Sequence, residues 1–408
     1  MEFKNMELGQ IASITKLAGY EFTKDIQYID NGEIIAIRAL NVKNGKLDLS
    51  QAKRISKDVS NKLVRSKLFK NEIVLTYTGS KYGEVALVKE NDKFHLAPNV
   101  CKITVNDNNI IPYYVLLIMQ TSDFKMQLKN YGVGSSQPTI PMKNIRKLQV
   151  AIPSISYQKE VLRIIEPINK KLELNQEIIE NLEELSQTLF KRWFVDFEFP
   201  DENGNPYKSS GGDMVESELS KIPKSWKVDT LGNYIKIKSG KRPKCKVDNK
   251  DFENVVPVIG ASKIMGYTND YIYNEKIIII GRVGTHGVIQ RFSTRTWPSD
   301  NTFVITSDFE SIIYQLLKSI DYISLNRGST QPLLSQKDIK NTKVAMPTNE
   351  TLLYKYQNEN DHILKMMDQK NIENQKLAQL RDTLLPKLMS GEIEIPDDIE
   401  VMEDELSI

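Results

Sequence analysis

A chain of 408 residues, 40% apolar and 26% charged, has room for two or three domains and the make-up of a soluble globular protein. No apolar run approaches the roughly 18 residues of a membrane span. The amino terminus lacks the basic-then-apolar pattern of a signal peptide, and Cys101 and Cys245 are too few for a disulfide framework. These features suggest a cytoplasmic protein. The net charge of +2 hides an alternation: residues 1–150 carry +8, 151–199 carry −3, 200–225 carry −2, 226–347 carry +7 and 348–408 carry −8. Basic blocks suit a polyanion and acidic ones do not.

Read in chain order, the first block is strand-like. Short β-branched runs at Glu33–Ile37, Ile73–Thr76, Val85–Val88 and Val100–Val105 are broken by Gly, Asn and Asp, a pattern expected of strands and turns. Tyr113–Leu128 reads as a helix. Next comes a long helix in which Leu172, Asn175, Ile179, Leu182, Ser186 and Leu189 alternate at spacings of three and four, the rhythm of a coiled-coil seam. Pro167 is expected to start this helix or kink it. Taken from Ile168 to Phe194, the helix would be about 40 Å long. Pro200–Ser225, rich in Gly, Ser, Asn and Pro, reads as a linker or long loop.

The second half repeats the first. Leu8-Gly9 recurs as Leu231-Gly232, and Asn71-Glu72-Ile-Val-Leu75 as Asn274-Glu275 before Ile277–Ile280. Gly79-Ser-Lys-Tyr-Gly83 faces Gly281-Arg-Val-Gly-Thr-His-Gly287. Asn99–Thr104 faces Asn301–Thr306, and Gly134-Ser-Ser-Gln-Pro138 faces Gly328-Ser-Thr-Gln-Pro332. Ile145 then corresponds to Ile339, and Ala151-Ile-Pro153 to Ala345-Met-Pro347. One match could arise by chance; five in the same order do not. A helix over Ser311–Ile320 precedes the second Gly-Ser-x-Gln-Pro turn, and a second long helix with Met367, Lys370, Asn374, Leu377, Arg381 and Leu384 on its seam follows Pro347. It is expected to end near Leu385-Pro386, with Gly391 as a stop signal. Both long helices are acidic and polar along the seam, so each is expected to pair with the other, through Leu172, Ile179, Leu182 and Leu189 on one side and Met367, Leu377 and Leu384 on the other. The acidic tail past Glu392 closes the chain.

Catalytic signatures are missing. There is no G-x-x-x-x-G-K-[ST] phosphate loop and no G-x-G-x-x-G fingerprint. Gly281, Gly284 and Gly287 have a different spacing and read as a turn that lets backbone approach something closely. Asn205-Pro206-Tyr207 is one proline short of an amino-methyltransferase motif. Asp248-x-Lys250, Asp338-x-Lys340 and Asp368-x-Lys370 are nuclease-like tripeptides that a chain this charged contains by chance. His95, His286 and His362 lie far apart without a ligand pattern, so no metal is expected.

The strand–glycine–strand loops are the sharpest candidates for reading DNA. The first offers Thr78, Ser80, Lys81 and Tyr82; the second offers Arg282, Thr285 and His286. The frames correspond while the polar residues differ, as two readers of different sequences require. Arg and Lys can donate to guanine, Asn and Gln can pair with adenine, and phosphate contacts only position the protein. Arg38, Lys241, Arg242, Arg291 and Arg295 are further candidates; the last four are better suited to phosphate. Gln137 and Gln331, identical in the two Gly-Ser-x-Gln-Pro turns, fit an architectural role better than a reading one.

The chain resembles the specificity subunits of type I restriction–modification systems. The resemblance covers nearly its whole length. Its marks are Ile222-Pro-Lys-Ser-Trp226 before Leu231-Gly232, the paired Gly-Ser-x-Gln-Pro turns, Phe190-Lys-Arg-Trp-Phe-Val-Asp-Phe197, and Leu384-Leu-Pro-Lys-Leu-Met-Ser-Gly391. Two departures stand out: the polar seam at Lys370, Asn374 and Arg381, and a first copy without a leading Ile-Pro-x-x-Trp segment.

The resemblance implies an α+β chain with an internal pseudo-repeat. Two α/β target recognition domains, 1–152 and 225–347, would be separated by two long helices in an antiparallel coiled coil, within 153–199 and 348–392. A linker at 200–224 and a tail at 393–408 complete it. Each domain would read half of a bipartite site on double-stranded DNA. The implied partners are two methyltransferase subunits that use S-adenosylmethionine for adenine methylation, and a restriction subunit that uses ATP and magnesium. No cofactor is expected in this chain and no membrane is involved. A stand-alone DNA-binding regulator is the competing reading; it would purify without a methyltransferase.

Overall fold

The computed structural model describes residues 3–134, 138–248, 250–282, 287–325 and 333–395. It contains two compact units, Met1–Leu172 with Lys376–Ile408, and Glu173–Gln375. Among the described residues no helix is long and apolar enough to cross a membrane.

In the first unit Lys4–Glu7 pairs antiparallel with Gln149–Ile152. A four-stranded sheet runs in the order Ala12–Lys16, Val100–Val105, Ile73–Thr76, Val85–Leu87, and a second in the order Lys53–Ile55, Ile34–Ile37, Phe94–Leu96, Lys67–Leu68. Successive strand residues face opposite sides, which explains the unbroken apolar run at Ile73–Leu75. Ile73 and Leu75 join one core cluster with Tyr114 and Leu117, while Val74 joins another with Ile35, Ile37 and Leu96. The strand is covered on both faces, and each such side chain contributes roughly 1.5–3 kcal/mol. The expected helix over Tyr113–Leu128 is two helices, Pro112–Gln120 and Ser122–Tyr131. Thr121 divides them, and its hydroxyl accepts from the Phe124 amide at 3.3 Å as an N-cap.

The second unit repeats this plan. Trp226–Thr230 pairs antiparallel with Lys343–Pro347, so Lys4–Glu7 is the first copy's counterpart of the segment opened by Trp226. One sheet runs Lys236–Ser239, Thr302–Thr306, Ile277–Gly281, Ile289–Phe292, the same order as in the first copy. The other is Ile264–Thr268, Val256–Ile259, Trp297–Pro298, with the last two parallel, as Ile34–Ile37 and Phe94–Leu96 are. The four isoleucines divide as before: Ile278 and Ile280 face the helices, Ile277 and Ile279 the smaller cluster with Ile259. The repeated Leu-Gly also has a physical cause. Leu8 and Leu231 are fully buried. A Cβ at Gly9 would lie 2.8 Å from the Arg146 Cβ, and one at Gly232 3.1 Å from the Lys340 carbonyl oxygen. Each glycine thus lets the chain pass under the short helix that carries Ile145 or Ile339.

The long helices are Ile155–Phe190 and Glu350–Ser390. Within the first unit, the Tyr157 hydroxyl donates to the Leu388 carbonyl at 2.8 Å and Arg381 donates to the Asn169 side-chain oxygen at 3.4 Å. Within the second, Asn175 donates to Asn374 at 3.0 Å and Ser186 to Asn360 at 2.7 Å. In both, the partner number falls as the first rises, so the helices run antiparallel. Of the residues expected on the seam, Asn175 and Asn374 meet across it; Met367 is buried, and Leu172, Ile179, Leu182, Leu189, Leu377 and Leu384 are half-buried.

Three expectations are corrected here. Pro167 does not start the first helix; it lies inside it, which leaves the kink as the remaining expectation. A proline there costs about 3 kcal/mol, which burial of Tyr157, Val161, Leu162 and Ile165 on the same helix offsets. Pro386 likewise lies inside the second helix, flanked by buried Leu385 and Leu388, and the helix stops only at Gly391, whose φ is +75°. Finally, Pro200–Ser225 is a packed lobe. Phe199 stacks on Tyr207 and Trp226 with centroids 4.7 and 5.5 Å apart, and Met214–Val215 pairs with Ile222–Pro223. Its polar residues make turns, as where Asp201 accepts from the Asn203 and Asn205 amides, both at 2.8 Å.

Candidate nucleic-acid interface

Both glycine-bearing loops lie at hairpin ends, as their strand–glycine–strand pattern suggests. In the first, the Gly83 amide returns to the Thr76 carbonyl at 2.9 Å, and Gly79 and Gly83 take φ of +94° and +85°, conformations that favour glycine. The segment after Gly134 lands on this hairpin. The Gly79 amide donates to the Pro138 carbonyl at 3.2 Å and the Ile140 amide to the Tyr77 carbonyl at 2.9 Å. Two features that the sequence presents as separate, the hairpin and the Gly-Ser-x-Gln-Pro turn, therefore meet.

The second unit keeps the same frame. The Arg282 amide donates to the Asn301 carbonyl at 2.9 Å, as Tyr77 does to Asn99 at 3.1 Å. The Leu334 amide donates to the Arg282 carbonyl at 3.1 Å, as Ile140 does to Tyr77. Arg282 thus stands where the first copy has Tyr77. Its guanidinium lies 5.7 Å over the Phe303 ring, within cation–π range. Its Nε is buried with no hydrogen-bond partner among the described residues. A half-buried arginine held at a loop root by its own backbone can offer its charged guanidinium to an external acceptor.

The other candidates fall into groups. Ser80 and Lys81 are exposed at the first hairpin tip. Thr78 and Tyr82 are engaged internally, Thr78 with the Thr139 hydroxyl and Tyr82 with the Leu128 carbonyl. Arg38 is half-buried and donates to the Gln51 carbonyl. Lys241 and Arg242 are exposed, and Lys241 is joined by its backbone to the turn that also receives Arg282. Its amide donates to the Pro298 carbonyl at 2.9 Å. Arg295 is exposed, 5.0 Å over the Tyr271 ring. Gln137, Thr285, His286 and Gln331 lie outside the described residues.

Arg291 departs from expectation. Its side chain is 7% exposed and pairs with Glu310 and, at 2.7 Å, with Asp368. It is a buried tie between the return strand of the second hairpin and two helices, out of reach of phosphate. Sequence reading also missed Lys16. It is exposed, at the end of the strand that matches Lys236–Ser239, with its ammonium 5.4 Å over the Tyr77 ring. Aligning Lys16 with Ser239, just before Lys241, would have singled it out.

Known proteins show the same organisation. The family described as the type I restriction modification DNA specificity domain matches residues 1–184 and again residues 223–382. The MjaIX type I restriction enzyme specificity subunit of Methanocaldococcus jannaschii is 25% identical over 97% of this chain and 93% of its own length. The HindI specificity subunit of Haemophilus influenzae is 22% identical over 96% of this chain and all of its own length. The crystal structure of the S subunit of a type I restriction–modification system from M. genitalium has the same fold. Its TM-score is 0.58 at 17% identity, covering 95% of this chain and 96% of that one. With two matches that together span most of its residues, the chain belongs to the type I restriction–modification DNA specificity family and carries the family's domain twice.

Proposed function

We propose that this chain is the non-catalytic reading subunit of a type I restriction–modification complex. Each unit reads one half of a bipartite duplex site, and the paired long helices set the number of unread base pairs between the halves. Methyl transfer to adenine belongs to two partner methyltransferase subunits that bind S-adenosylmethionine. Cleavage belongs to a restriction subunit that uses ATP and magnesium. This chain needs no cofactor, and it acts in the cytoplasm of a bacterium or archaeon.

One observation carries the reading. The same two-loop frame occurs in both units, held by equivalent backbone hydrogen bonds, yet its side chains differ at equivalent places, Tyr77 against Arg282. Backbone bonds keep the tip's shape whatever the side chains, and base recognition depends on side chains. The test is to co-express the chain with its methyltransferase and sequence the methylated adenines. A two-part motif is expected, and Arg282→Ala should relax only one half of it. A continuous motif, or methylation by the purified chain alone, would overturn the proposal.

A further inference from the structure

Six of the eleven residues from Lys236 to Lys246 are basic and none is acidic, so this one segment carries a charge nearly equal to the net charge of residues 226–347. All six are exposed. Lys236 and Lys238 alternate with buried Ile235 and Ile237, so the strand period turns both lysines to solvent. Lys246 is engaged, with the Met265 carbonyl at 2.9 Å and Asp248 at 3.2 Å. Lys236, Lys238, Lys241, Arg242 and Lys244 make no ion pair among the described residues.

The segment is fastened beside the second reading loop. The Gly240 amide donates to the Thr302 carbonyl at 3.0 Å, and the Lys241 amide to the Pro298 carbonyl at 2.9 Å. The Trp297 indole N–H donates to the Lys241 carbonyl at 2.7 Å. The same turn, 298–302, receives the Arg282 amide through Asn301. The approach is backbone against backbone: a Cβ at Gly240 would stand 2.2 Å from the Ser299 carbonyl oxygen.

The densest basic stretch of the first unit, from Lys53 to Lys67, is largely spent internally. Lys62 pairs with Asp25 at 2.6 Å and Arg65 with Glu21 at 3.5 Å. Arg54 donates to the Gly32 carbonyl at 3.2 Å and Lys67 to Asn61 at 2.7 Å. Five uncompensated charges within nine residues repel one another unless a polyanion neutralises them.

We infer that Lys236–Lys246 is a phosphate-tracking arm. It follows the backbone of the duplex beside the bases met by the Arg282 loop, and through it the second unit supplies the larger share of sequence-independent affinity. This rests on the reading of the chain as a DNA-reading subunit. The shared anchor on the 298–302 turn favours DNA over an acidic protein, because it holds the arm beside Arg282 at the root of the reading loop.

The test uses the full chain assembled with its methyltransferase, bound to a duplex carrying its motif and to a scrambled duplex, from 50 to 200 mM salt. K241A/R242A/K244A, in which every changed side chain is exposed, should flatten the plot of log affinity against log salt by about 2.7, at ~0.9 per phosphate. Over that range the variant should lose on the order of 40-fold less affinity than the wild type. At any one salt its binding should fall by the same factor on both duplexes, since phosphate contacts carry no sequence information. K62A/R65A/K67A should change the slope by less than half as much. The inference is overturned by wild-type binding with an unchanged slope, by a loss confined to the motif duplex, or by intact DNA binding with weakened methyltransferase assembly. If the wild-type complex shows no preference for its motif, the functional reading itself fails.

Discussion

Removing the guanidinium of Arg291 should destabilise the second unit far more than an arginine on a strand ordinarily would. Arg291→Ala leaves Glu310, 7% exposed, and Asp368, 23% exposed, without their shared cation. Breaking a buried ion pair from one side costs about 3–5 kcal/mol, while replacing every member with uncharged groups is often close to neutral. The triple change R291M/E310Q/D368N should therefore recover most of the loss. All three tryptophans, Trp193, Trp226 and Trp297, belong to the second unit, so their fluorescence during urea unfolding reports that unit alone. For a unit of this size, 3–5 kcal/mol lowers Tm by about 6–20 °C. An R291A protein within 1 kcal/mol of wild type would refute the assignment of Arg291 as a buried tie. So would a triple variant no more stable than the single one.

Other outcomes follow from the same geometry. The hydrogen bond from Lys227, with others from the Thr230 amide, Asn233 and Tyr234, holds the Asp229 carboxyl down at about 2 from its usual 3.8. Because the folded-state value is depressed, this stabilisation is complete above pH 4 and is lost as pH falls through 2. Asp229→Asn should lower Tm at pH 6 and flatten the decline between pH 4 and 2; parallel curves would count against it. Ending the chain after Thr383 removes Leu385 and Leu388, buried in the core of the first unit, and the carbonyl that accepts from Tyr157; proteolysis should then attack the first unit, and a resistant one would contradict the packing. Gly9→Val places a Cβ 2.8 Å from that of Arg146 and should cost about 1–3 kcal/mol, measurable as a shift in urea midpoint. Matched insertions of four residues, between Ile179 and Leu182 and between Met367 and Lys370, should widen the unread spacer by one or two base pairs, about 6 Å of helix. The same insertion in one helix alone must break either the Asn175–Asn374 or the Ser186–Asn360 bond and should abolish methylation.

The repeat, the central strands, the hairpin positions and the helix seam were legible because each depends on local periodicity or on glycine at a turn. Ile277–Ile280 could be placed as a covered strand from its run of β-branched residues. Leu172, Ile179 and Leu182 could be placed on a seam from their spacing. Arg291 was not legible. It lies on a strand amid basic sequence, and the partners that bury it are 19 and 77 positions away. The lobe at 200–225 misled for a related reason. Its Gly and Ser content marks turns equally well in a flexible linker and in a packed lobe. What separates the two is the stacking of Phe199 and Tyr207 with Trp226, which composition does not reveal. The prolines at 167 and 386 show that a local breaker yields when enough apolar surface is buried around it.

A division of labour within each hairpin follows from its bonds. The frame is made by backbone groups: the residue after the inner strand is held on both sides, whether it is Tyr77 or Arg282. Its side chain is therefore replaceable without reshaping the loop. Side chains that the loop spends on itself are not replaceable in this way. Thr78 is committed to Thr139 and Tyr82 to the Leu128 carbonyl, and a Cβ at Gly132 would meet the Tyr82 hydroxyl at 2.5 Å. In the first unit this leaves Ser80 and Lys81 as exposed polar groups of the tip, with Lys16 over Tyr77 at its root. In the second, a single arginine at the root replaces the tyrosine–lysine pair. Two units built on one frame can thus meet different bases, because the positions that differ are those the backbone bonds leave free.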